Sequence, residues 1–134
     1  MRLPLPRQPH LLVRTESAHR PIEPAAQAVA TEAERRGAQR VLILASGTLN
    51  RKTDEVRNMR SALGARCAAV FDRMPSFTPR EAVLEATAEA RAANADLMVT
   101  FGGGSVTDGG KMVRLCLQNN VTTIDGFDAL RAVT

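Results

Sequence analysis

The run Phe101-Gly102-Gly103-Gly104-Ser105-Val106-Thr107-Asp108-Gly109-Gly110-Lys111 carries the residue types best suited to chemistry. Three consecutive glycines let backbone N–H groups approach an anion closely, because no Cβ stands in the way. Val106, Gly110, Val113 and Leu117 behind them are spaced to form one helical face. A helix starting there adds unpaired N–H donors and a partial positive charge. Together these features hold a phosphate or a pyrophosphate. Asp108, expected in the first helical turn, favours the helix dipole and can accept hydrogen bonds from a ribose or substrate hydroxyl. Lys111 lies three residues on and can pair with it. The plainer alternative is a tight glycine turn, a capping Asp108 and a solvated Lys111.

Two familiar phosphate motifs do not match. A P-loop needs four residues between its first Gly and Gly-Lys, and Ser or Thr after the Lys. Here Ser105 and Met112 occupy those places. The dinucleotide pattern G-x-G-x-x-G starts with Gly102 and Gly104 but meets Thr107 at its third glycine.

The elements that must position this loop repeat along the chain. Residues 1–9 carry Pro4, Pro6 and Pro9 and read as an irregular arm. His10 to Thr15 reads as a short strand. A helix is expected from about Glu23 to Arg36, with Pro24 in its first turn and Gly37 at its C-terminal end. The strand Val41-Leu42-Ile43-Leu44 follows. A second helix spans about Thr53 to Leu63, ends at Gly64 and leads into the strand Cys67 to Phe71. A third begins with Thr78 as cap, Pro79 in first place and Glu81 completing a capping box. It ends near Asn94, before the strand Leu97 to Phe101. The tail Asn119 to Thr134 reads as a loop with a weak helical start at Asp125.

Short apolar strands alternating with helices imply a mostly parallel sheet buried on both faces. Right-handed crossovers then give a doubly wound α/β fold, and 134 residues make one such domain. Ligands of these folds bind beyond the carboxyl ends of the strands. Ser46-Gly47-Thr48 and Gly102 to Ser105 both fall there.

Composition narrows the function classes. The net charge is +4, yet nearly all cations are arginines spread along the chain, with Lys52 and Lys111 the lysines. No Trp or Tyr accompanies them, so a nucleic-acid platform is not expected. Cys67 and Cys116 lack metal or redox spacing and read as buried thiols of a reducing cytoplasm. The N-terminus lacks the apolar core of a signal peptide, and no run is long enough to span a membrane.

The segment Gly102-Gly103-Gly104-Ser105-Val106-Thr107-Asp108-Gly109-Gly110-Lys111 resembles the G-G-G-S-x-x-D-x-x-K signature of iron-containing (group III) alcohol dehydrogenases, whose relatives include maleylacetate reductases and glycerol dehydrogenases. The order of elements from His10 through Phe71-Asp72 and Thr78-Pro79 is similar to that family's N-terminal domain. The resemblance implies a Rossmann-like NAD(P)-binding domain, followed in the family by a helical domain that holds iron or zinc through an Asp and three His. It implies pyrophosphate binding at Gly103, Gly104 and Ser105, with Gly102 in the same loop, and Asp108 toward the nicotinamide. It further implies that hydride passes between the nicotinamide and an alcohol or carbonyl in the full enzyme.

The chain departs from that pattern in two ways. It ends at Thr134, before the metal domain, and has His10 and His19 as its histidines. The expectation is therefore a part of such an enzyme, inactive alone, that works with a separate metal-binding domain and pairs with a second copy through its N-terminal strand. A non-catalytic nucleotide-binding or dimerising remnant, and part of a dehydroquinate synthase-like lyase, are the alternatives. The second departure is Ser46, where many members of the family carry an Asp that binds the adenosine ribose and repels a 2′-phosphate. Ser46 and Thr48 could bond that phosphate and Arg51 could neutralise it, so NADPH is expected to be accepted or preferred. The alternative leaves Arg51 and Lys52 as solvated first-turn residues.

Overall fold

A strand that is apolar at every position needs cover on both faces, and the packing here follows from that requirement. The computed structural model describes residues 12–15 and 24–133; His10, Leu11, His19 and the proline-rich arm lie outside them. The elements are β1 (Leu12–Thr15), α1 (Ala25–Arg35), β2 (Val41–Ala45), α2 (Gly47–Lys52), α3 (Glu55–Leu63), β3 (Cys67–Phe71), α4 (Arg80–Ala92), β4 (Leu97–Phe101), α5 (Gly104–Gln118) and α6 (Ile124–Val133). A 3-10 turn, Gly64–Arg66, joins α3 to β3. The strands form one parallel sheet in the order β1-β4-β2-β3. The expected α/β doubly wound architecture is present.

Alternate side chains of β2 and β4 feed two separate cores. Val41, Ile43 and Ala45, with Leu97, Val99 and Phe101, face α1 and α3 through Val29, Ala33, Val56 and Met59. Leu42, Leu44 and Met98 face α4, α5 and α6 through Val83, Ala86, Val113 and Phe127. Neighbouring β2 residues thus contribute to opposite cores, as the period of two demands. The register pairs Leu42 with Met98 and Ala45 with Phe101, so β2 and β4 end level with each other. Below the sheet, the Asp96 carboxylate accepts from the N–H groups of Gln39 and Arg40, both at 3.0 Å. Asp96 N also donates to the Arg40 carbonyl at 2.8 Å. This ties together the starts of β2 and β4.

Several local expectations need correction. The segment after β2, where no helix is expected before Thr53, is the helix α2, capped by the Ser46 Oγ. None of its residues is buried, so it left no periodic apolar pattern. The tail folds into α6, with Thr123 Oγ1 accepting from Gly126 N at 3.0 Å. Thr78 does not cap α4. Pro79 holds the cap position, and Thr78 turns to positive φ with its hydroxyl spent elsewhere. Asp108 lies just past the first turn of α5, which holds no acid. On α5 the buried face uses Gly109 and Cys116, while Leu117 is only partly covered. Cys67 is half-buried, because β3 is an edge strand.

Met59 is fully buried between α3 and the sheet. Met59→Ala should lower stability by about 2–5 kcal/mol in urea unfolding. Arg57→Gln, which breaks the exposed pair with Asp54, should change it by less than about 1 kcal/mol.

Candidate functional site at the carboxyl ends of the strands

A cleft of about 510 Å3 opens where β2, β3 and β4 end. The β2 end contributes Ser46, Gly47, Thr48 and Arg51; the β3 end contributes residues 72–76; the β4 end contributes Gly103, Gly104, Ser105 and Val106. Of the residues singled out from the sequence, Ser46, Thr48, Gly103, Gly104 and Ser105 come together here. Gly102 lies beneath them against Ser46. Asp108 and Lys111 do not line the cleft; both are exposed on α5. Among the described residues they form no ion pair with each other.

The three glycines have different physical tasks. Gly102 has φ +152, a region that side chains rarely enter. A Cβ there would stand 3.0 Å from Ser46 Cβ and 3.2 Å from Val106 Cγ2. Gly102 is therefore demanded by the fold. Gly103 caps α5 with φ −90, which any residue can adopt, and a Cβ on Gly103 or Gly104 would meet nothing within 4 Å. The protein's own packing gives no reason for glycine at these two positions. The first N–H groups of α5 emerge there without intrahelical acceptors.

The opposite wall is polar. Ser46 N donates to the Phe101 carbonyl at 2.9 Å, and Ser46 Oγ accepts from Leu49 N at 3.2 Å. Its hydroxyl proton remains available to donate. Arg51 lies over Gly47: a Cβ on Gly47 would sit 2.9 Å from its guanidinium. Arg73 is engaged by Glu89 and by Glu85, and stacks on Phe71 at 4.5 Å. Among the described residues no ion pair neutralises Arg51, so it is the cleft's available cation. Asp72 was not singled out from the sequence. Its carboxylate accepts from Asn50 Nδ2 at 2.8 Å. Its position directly after β3 was the available signal, since ligands gather at strand carboxyl ends.

The sequence model of the family described as iron-containing alcohol dehydrogenase matches residues 23–132. The chain belongs to that family. It is 37% identical over 105 residues to a dehydrogenase of Gibberella moniliformis, covering 78% of this chain and 24% of that protein. It is 39% identical over 87 residues to a maleylacetate reductase of Rhizobium sp., covering 65% of this chain and 24% of that protein. The solved structure of maleylacetate reductase from Agrobacterium tumefaciens superposes with a TM-score of 0.60 at 29% identity, over 90% of this chain and 29% of that chain. The corresponding Rhizobium structure gives 0.61 at 29% identity, over 86% of this chain and 29% of that chain. This chain spans about a quarter of the length of the curated relatives it matches. Its family is one of oxidoreductases.

Away from the cleft, a second hollow of about 540 Å3 is lined by Asn50, Thr53, Arg57, Arg60, Ser61, Gly64 and Cys67. Burial pushes the Cys67 thiol up, against the opposing pull of Arg60. Burial also raises Cys116, against the opposing pull of the nearby Thr87 hydroxyl and the charge of Arg91.

Gly102→Ala should cost about 1–3 kcal/mol of stability. Gly103→Ala should cost under about 1 kcal/mol, as a change of cap residue. Thermal unfolding of the two variants separates the glycine that shapes the loop from the one that leaves it open. With a disulfide labelling reagent at pH 7, Cys67 should react more slowly than a free cysteine, and faster as pH rises past 9. Cys116 should stay unlabelled until the chain unfolds, with Cys67→Ser assigning the two phases.

Proposed function

We propose that this cleft binds a nicotinamide dinucleotide, and that the chain is the NAD(P)-binding part of a metal-dependent alcohol dehydrogenase or maleylacetate reductase-like enzyme. The observation that carries this reading is the open space at Gly103 and Gly104, two glycines that the packing does not require. A pyrophosphate approaching the first turn of α5 needs that space, and the unpaired N–H groups meet it. Ser105, next in the same turn, lines the cleft beside them.

The same reading assigns the polar wall. Ser46 and Thr48 face the adenosine ribose from the end of β2, the strand beside the glycine loop. No carboxylate stands at position 46, and Arg51 supplies positive charge, which supports acceptance of a 2′-phosphate and thus of NADPH. Bound there, the nicotinamide would take or give hydride in exchange with an alcohol or carbonyl in the longer enzyme. This chain's residues hold the carrier and turn it. Iron, which the family's description names, needs converging imidazole and carboxylate donors. Among the described residues no group of three or more His, Cys, Asp or Glu could hold an ion. In this reading the metal is held outside these residues, and Gly103, Gly104, Ser105, Ser46, Thr48 and Arg51 bind and orient the dinucleotide.

Calorimetric titration with NADPH and NADH tests the reading. Gly103→Ala should weaken both by at least about tenfold while leaving the fold intact. Arg51→Gln should weaken NADPH about fivefold relative to NADH, the worth of roughly 1 kcal/mol for an exposed ion pair, and the gap should close in high salt. Absence of binding by a folded chain would remove the proposal.

A further inference from the structure

Phe77 is 96% exposed. It belongs to the loop between β3 and α4 and follows Ser76, which lines the cleft. Its φ is +68 and that of Thr78 is +50, two consecutive residues in a conformation that non-glycine residues avoid. Exposing the ring and straining the backbone beneath it both cost stability.

The strain is not slack in a loose loop. Met74, just before, is buried against Gly109 of α5; a Cβ on Gly109 would reach within 2.8 Å of its Cε. Thr78, just after, donates from Oγ1 to the Ser105 carbonyl at 3.2 Å and from its N–H to the Pro75 carbonyl at 3.3 Å. The loop is thus pinned to the glycine-loop helix on both sides of Phe77.

Strand order indicates what the ring would meet, on the basis of the dinucleotide reading above. The glycine loop follows β4, β2 lies next to it, and β3 lies beyond β2. In doubly wound sheets the end of the strand beside the glycine loop meets the adenosine ribose. The base continues outward from that ribose, toward the β3 side and the loop that carries Phe77. A purine offers a flat π face, and an aromatic ring presented to water from an anchored loop is a stacking platform for it.

We propose that Phe77 stacks on the adenine of the bound dinucleotide. The strained, pinned loop fixes the backbone beneath the ring, so that little loop freedom is lost on binding.

The chain has no Trp and no Tyr, so Phe77→Trp creates a lone emitter at the proposed contact. Titration of that variant with ADP should quench its emission saturably, while nicotinamide mononucleotide should not. Phe77→Gly removes the ring and suits the positive φ, so it should keep or raise the melting temperature and still weaken ADP about tenfold. If ADP binds the unaltered chain and Phe77→Gly equally, with no emission change in Phe77→Trp, the stacking proposal falls and the dinucleotide reading stands. Quenching by nicotinamide mononucleotide in place of ADP overturns it in favour of the other end of the cofactor. A nucleotide-independent emission shift that follows protein concentration overturns it in favour of a second copy covering the ring. Failure of the folded, unaltered chain to bind ADP, NADH or NADPH removes both proposals.

Discussion

Gly102 and Ser46 touch where β4 and β2 end side by side, and the cleft depends on that contact. The Ser46 N–H closes onto the Phe101 carbonyl, the last ladder bond between the two strands. Beyond it the chains diverge, one into α2 and the other through the glycine loop into α5. A side chain at Gly102 would drive these ends apart. Because only hydrogen stands there, both helix starts open onto one shared floor.

A glycine the fold requires and two it does not therefore sit next to each other in one loop. Gly102 answers to the fold, through its φ and its neighbours. Gly103 and Gly104 are under no such demand, since a Cβ on either would meet no protein atom within 4 Å. The distinction cannot be read from a row of three identical letters. It needs the positions of Ser46 and Val106, which arrive from elsewhere in space.

What could be read in advance follows the same division. The strands Cys67–Phe71 and Leu97–Phe101 were legible to the residue, because continuous apolar runs between helix ends have few other fates. The ends of α1 and α3 were legible from Gly37 and Gly64, both at positive φ. The helix α2 was not, because Gly-Thr-Leu-Asn-Arg-Lys has no apolar face to announce it. Thr78 satisfied every local rule for a cap, yet its hydroxyl serves the Ser105 carbonyl across 27 residues of sequence. Asp72 escaped notice because its partner, Asn50, is 22 residues away. The glycine loop itself was visible as a motif. Which of its neighbours share the cleft was set by strand order, and Asp108 and Lys111 fall outside it.

The Asp96 carboxylate gathers two N–H groups at the end of the sheet away from the cleft. The strands are thereby fastened at their entry, while their exits are left to the loops. Such a layout separates anchorage from recognition along the length of each strand. Exit-end loop positions other than Gly102 can therefore change without loosening the fastening at the entry end.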